Sequence, residues 1–101
     1  MSSVNPYGII PSRLTADGQA FTGRALVKAI CYMHSTGATG TIKFYNKVGA
    51  PGESDTPVCE IDIVGVGTNT FYVPEPGVLI TEGLYVGVPS NTSLNIFYER
   101  A

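Results

Sequence analysis

Apolar and polar residues alternate with a period of two along most of this chain. In residues 41–47, Ile42 and Phe44 fall on one side while Lys43 and Lys47 fall on the other. In residues 58–63, Cys59, Ile61 and Ile63 oppose Glu60 and Asp62. In residues 93–99, Leu94, Ile96 and Tyr98 oppose Asn95 and Glu99. Side chains on a strand point alternately to its two sides, so this pattern predicts antiparallel strands with one buried and one wet face. Residues 26–33 depart from it. Leu26, Ile30 and Tyr32 share one parity and Val27, Ala29, Cys31 and Met33 the other, so both sides are apolar apart from Lys28. The segment could hold three turns of helix, but its β-branched and aromatic content favours a strand covered on both faces.

Twelve glycines and seven prolines punctuate the chain. Residues 35–40 read as a hairpin loop and 49–55 as a longer polar loop. Residues 65–69 form another turn. Pro74-Glu75-Pro76-Gly77 predicts a tight reversal, because proline presets φ and glycine accepts positive φ. Strands are expected near residues 7–14, 19–22, 24–34, 40–48, 57–64, 69–74, 77–82, 84–88 and 93–99. Short strands at this spacing indicate an all-β fold. The expected architecture is an antiparallel β-sandwich, jelly-roll-like or immunoglobulin-like, of seven to nine short strands. At 101 residues the chain makes one domain. Residues 1–20 are read as an N-terminal arm or the first short strands, and residues 21–101 as the sandwich.

Charge sharpens this picture. Hydrophobic residues make up 44% of the chain and charged ones 14%, against a usual charged share of about 25%. A disordered chain is thereby excluded. A net charge of −2 offers no basic patch for nucleic acid. The N-terminus MSSVNPYG has neither a basic start nor an apolar run, so no export signal is read there. The longest apolar stretch, 25–33, falls far short of the ~20 residues that span a membrane. So few charges suggest that part of the surface is covered by a partner.

The inventory for chemistry is thin. The single histidine, His34, is expected as a surface or hairpin-end residue. Ser35 would point to the opposite side of a strand, as would Cys31, so neither pairs with it as a nucleophile. Glu60 and Asp62 lie about 7 Å apart on one strand face, without the spacing of a calcium loop. They read as a solvated face that deters unwanted strand pairing. The glycines at 37, 40, 65 and 67 precede no helix and so cradle no phosphate. Asn91-Thr92-Ser93 matches a glycosylation sequon but needs only turn chemistry to explain it. Cys31 and Cys59 have no metal or redox spacing and are expected as free, buried thiols. No catalytic residue, no cofactor and no metal are expected, and the chain reads as a non-enzyme.

The aromatics carry more. Phe44-Tyr45, Phe71-Tyr72 and Phe97-Tyr98 are consecutive pairs on strands, so one ring of each pair must face away from the core. Tyrosine and phenylalanine are enriched at interface cores. Tyr32, Tyr45, Tyr72, Phe97 and Ile30 are therefore the candidate interface residues. A sugar-binding face is the competing use, though such faces favour tryptophan and the chain has none.

The run Gly23-Arg24-Ala25-Leu26-Val27-Lys28-Ala29-Ile30, the small-residue hairpin into Ile42-Lys43-Phe44-Tyr45-Asn46, and the close Gly77-Val78-Leu79-Ile80-Thr81-Glu82-Gly83-Leu84-Tyr85-Val86 resemble small β-sandwich virion proteins of tailed bacteriophages. Head or capsid decoration proteins are the nearest type. The resemblance covers residues 23–99 and maps no functional residue. It implies a structural protein of the virion, made in the host cytoplasm. It also implies a homo-oligomer, with a trimer as the expected state, seated on a protein lattice, with no nucleic-acid or membrane partner. A carbohydrate- or cell-surface-binding module is the alternative.

Overall fold

The computed structural model describes residues 8–35, 37, 39–63 and 65–101. Nine strands run through them: β1 (Ile10–Leu14), β2 (Gly18–Thr22), β3 (Ala25–His34), β4 (Thr41–Asn46), β5 (Cys59–Asp62), β6 (Gly67–Tyr72), β7 (Val78–Ile80), β8 (Gly83–Gly87) and β9 (Thr92–Arg100). Each expected segment holds one of them, and there is no helix among the described residues. Within the expected arm, β1 and the start of β2 are strands of the sandwich itself. Residues 1–7 lie outside the described residues.

Every pairing is antiparallel. Sheet A has the order β1-β9-β3-β6, with β7 also on β3, and sheet B has the order β2-β8-β4-β5. β6 and β7 lie end to end along β3, β6 against Ala29–His34 and β7 against Ala25–Val27. Taken as one edge, they complete a nested set: β1 with β9, β2 with β8, β3 with β6 and β7, β4 with β5. Nested pairing across two sheets is the arrangement of a jelly roll. The immunoglobulin order, which sets the first, second, fifth and fourth strands side by side, does not occur.

The core lies between the sheets. Sheet A supplies Ala25, Val27, Ile30, Ile80, Leu94, Ile96 and Tyr98; sheet B supplies Phe21, Ile42, Phe44, Leu84 and Val86. At one end Phe21 stacks on Tyr98 with ring centroids 4.3 Å apart. The Arg100 guanidinium lies over both rings and donates to the Thr22 carbonyl at 2.6 Å. The cation thus closes the core end with its charge still in water.

β3 does not alternate as the sequence predicts. Its register with β9 shifts between Val27 and Ala29, leaving Lys28 as an extra residue. A bulge of this kind moves every later side chain to the other face. Ala25 and Val27 face the core before it; Ile30 and His34 face the core after it. The two parity sets read from residues 26–33 are therefore each divided between core and outer surface. Ile30 is 5% exposed and His34 2% exposed, so neither is a surface residue, though His34 does stand at the end of its strand.

Candidate functional site

The outer face of sheet A gathers the exposed apolar residues Ile9, Met33, Tyr72 and Leu79. The β1–β9 and β3 registers place Pro11, Phe97, Ala29 and Tyr72 in one row across four strands. Ala29 has no side chain beyond its Cβ, so Phe97 and Tyr72 stand as walls on either side of a gap. The result is a shallow depression of about 610 Å3, with Ile9 and Cys31 also along it. Met33 and Leu79 extend the exposed apolar surface beyond. Charge borders it on two sides: Arg13 is exposed one row away on β1, and a cluster around Lys28 forms the other rim. The Lys28 ammonium donates to Glu75 Oε1 at 2.8 Å and to the Pro76 carbonyl at 3.0 Å, with Glu99 Oε1 at 3.5 Å. The hydrogen bond to Glu75 holds the Lys28 ammonium above its usual lysine pKa. Lys28 reaches that rim because it is the bulge residue. A lone lysine in a run apolar on both parities was the sequence signal for this step.

Of the five candidate residues, the fold brings two together here. Tyr72 and Phe97 flank Ala29, and Tyr72 is 77% exposed. Tyr45 lies on the opposite sheet, beside Tyr85. Tyr32 packs partly buried against the core and stacks on His34 at 5.9 Å. Ile30 belongs to the core. Tyr32 and Ile30 leave the candidate set for one reason, the Lys28 bulge. Ala29, Cys31 and Met33 enter the outer face by the same step.

A second apolar feature opens between the sheets where β5 faces β6 and β7. A narrow cleft of about 50 Å3 runs in from this side to Ile30, Phe44 and Leu84. Phe71 and Val78 lie opposite the inward-facing Ile30 and Val27, yet both are about half exposed. Cys59 lies opposite Phe44 at the same mouth and is exposed. The expectation of two buried thiols is thus corrected. Both are free, Cys31 half-buried on the outer face and Cys59 open to solvent. Its parity with Ile61 and Ile63 does point Cys59 inward, but an edge strand has nothing further to cover it.

The outer face of sheet B is of another kind. Lys43 lies opposite Glu60, and Thr41 donates to Asp62 Oδ1 at 2.9 Å. The acidic pair is therefore balanced across its strand. In the adjoining loop Asp55 accepts from the Gly52 amide at 2.7 Å and lies 3.1 Å from Lys47. These two interactions, the amide first, lower its carboxyl pKa. No group of three His, Cys, Asp or Glu side chains able to hold a metal occurs among the described residues. No helix of the described residues is long and apolar enough to cross a membrane.

Among the described residues, His34 is the one with buried side-chain polar atoms that lack a partner. Neither ring nitrogen has a hydrogen-bond partner. It lies between Thr92 and Gly67 at the end of β3, with its backbone in both ladders. Ser35 Oγ points instead toward the Asn91 carbonyl at 3.4 Å. The arrangement assembles no nucleophile, base and orienting acid. What the molecule presents is surface: one apolar outer face, one apolar cleft and one charged face. Comparison of the chain with family models, with curated proteins and with solved structures finds no match to any of them.

Proposed function

We propose that this protein is a non-enzymatic structural component of a tailed-phage virion, a capsid decoration or head- or tail-associated protein that acts by protein–protein assembly. The observation that carries the reading is the row Pro11, Phe97, Ala29 and Tyr72 on the outer face of sheet A. Exposed aromatic rings grouped beside a charged border mark a candidate interaction site. An aromatic centre with charge at its border has the composition of an interface core. The jelly-roll arrangement is compatible with this role and with others, since the same architecture serves capsid and lectin domains alike. The virion assignment rests on the resemblance of residues 23–99, and so does the trimer as its expected state.

Multi-angle light scattering on the purified protein tests the reading. The expected result is a multimer that Phe97→Lys reduces in size while leaving the circular dichroism unchanged. A parent chain that is monomeric at about 100 µM and binds immobilised glycans would replace it with the carbohydrate-binding alternative. Tyr72, projecting beside an open depression, is the ring on which a sugar would stack.

A further inference from the structure

The edge strands of this sandwich are unequally guarded. Sheet edges expose unpaired backbone donors and acceptors, and proteins blunt them with charge, proline, bulges or short length. β1 carries Pro11 and Arg13. β2 has a bulge between Gln19 and Phe21. β5 is four residues long and carries Glu60 and Asp62. β7 is three residues long and follows Pro74 and Pro76. β6 has none of these devices. Its six residues, Gly67-Thr68-Asn69-Thr70-Phe71-Tyr72, hold no charge and no proline, and its register with β3 is unbroken.

The direction of its backbone groups follows from two hydrogen bonds. The Ser35 amide donates to the Asn91 carbonyl, so after the bulge odd-numbered residues of β3 turn their backbone toward β9. The Val73 amide donates to the Lys28 carbonyl, so even-numbered residues turn toward β6. In a regular antiparallel ladder Asn69 and Phe71 then bond to β3, while Thr68, Thr70 and Tyr72 turn their N–H and C=O outward.

We propose that β6 pairs with β6 of a second copy, antiparallel and about a two-fold axis at Thr70, joining the two A sheets into one. In that register Thr70 meets its own counterpart, and Tyr72 meets Thr68 of the copy. The three outward pairs make about six hydrogen bonds. A second copy is the occupant because the strand is self-complementary. It has no charge to repel itself, and threonines opposite one another are a favourable cross-strand pair. The other edges of a copy cannot substitute, since each presents the charge, proline, bulge or short length described above. The pairing also brings the half-exposed Phe71 beside Asn69 of the copy. It is a contact separate from the outer-face contact proposed above. A three-fold face contact and this two-fold would close at six copies where the two axes cross at right angles.

The separation is tested with two variants. Thr70→Pro removes an outward amide, and proline is tolerated on an edge where its missing N–H faces solvent. Phe97→Lys blocks the outer face and leaves the edge intact. Sedimentation at about 100 µM is expected to give a dimer for Phe97→Lys and a monomer for the double variant, with unchanged circular dichroism. The amides of Thr68, Thr70 and Tyr72 should exchange at least about tenfold more slowly in the dimer than on dilution to monomer. Thr70→Lys serves if the proline variant does not fold, and it should also give a monomer. A Phe97→Lys protein that is monomeric, with those three amides exchanging freely, overturns the edge pairing. So does a dimer that both Thr70 variants leave intact. The face contact fails separately, if the parent and Phe97→Lys sediment alike.

Discussion

The two outer faces of this sandwich share a backbone geometry and differ in what stands on it. On sheet B, cross-strand neighbours are Lys43 with Glu60 and Thr41 with Asp62, and the central strand β8 contributes Gly83 and Gly87 around Tyr85. Opposite charges at such spacing stabilise one another and keep the face wet. On sheet A, the corresponding positions are Phe97, Ala29 and Tyr72, and the charges stand to the sides, Arg13 on β1 and the cluster around Lys28. Alternation alone cannot distinguish a face left in water from a face kept for a partner. The identity of cross-strand neighbours does, and those neighbours come from strands distant in sequence.

The comparison breaks most completely in the core beneath sheet A. Ile30 faces inward because the bulge absorbs Lys28, and Ile30→Ala in a close-packed core is expected to cost roughly 2–5 kcal/mol. The loss is read as a lower urea midpoint or as failure to fold. The next effect is on assembly. Phe97→Lys is expected to weaken self-association across sheet A by about 2 kcal/mol or more, a factor of roughly 30. Tyr45→Lys, on sheet B, is expected to leave it unchanged. Sedimentation equilibrium on the two variants compares the faces directly.

A smaller effect is expected at the inner face. His34→Leu removes a buried imidazole with no partner for either nitrogen. Burying such a group without hydrogen bonds costs about 1–3 kcal/mol. The leucine variant should unfold at a higher urea concentration by a comparable margin, and an unchanged or lower midpoint would mean that the imidazole is satisfied in solution.

The smallest effects are in pH, and they fall on opposite sides of neutrality for the two faces. Asp55, beside sheet B, has its carboxyl held below the ordinary aspartate value of 3.8 by the Gly52 amide and Lys47. Its contribution is present above that value and is lost as pH falls through the lowered one. Lys28, at the rim of sheet A, is held above 10.5. Its contribution is complete below that value and is lost as pH rises through the raised one. Amide shifts should follow this sequence, Gly52 moving in acid and Gly77, next to Pro76, in base. A Gly52 shift that is flat below pH 4 would contradict the Asp55 anchor.

What the sequence determined by itself was the set of strands. Ile42 and Phe44 against Lys43, or Leu94 and Ile96 against Asn95, are local patterns. The turns at residues 49–55 and 74–77 carry their own glycine and proline chemistry, so nine strands and an all-β sandwich are legible without tertiary information. Tyr72 and Phe97 were legible as outward rings for the same reason. Tertiary structure decided which neighbours those strands received, and hence the jelly-roll order. It also decided the sides of β3. A bulge is a mismatch in residue count between β3 and β9, and nothing in either strand alone states it. Lys28 supplied the hint, but only packing fixed where the extra residue sits. That one step moved Ile30 and His34 into the core and Cys31 and Met33 out of it. Cys59 shows the remaining gap. Its parity pointed inward as read, but burial needs a neighbour on the far side, and an edge strand facing an open cleft has none.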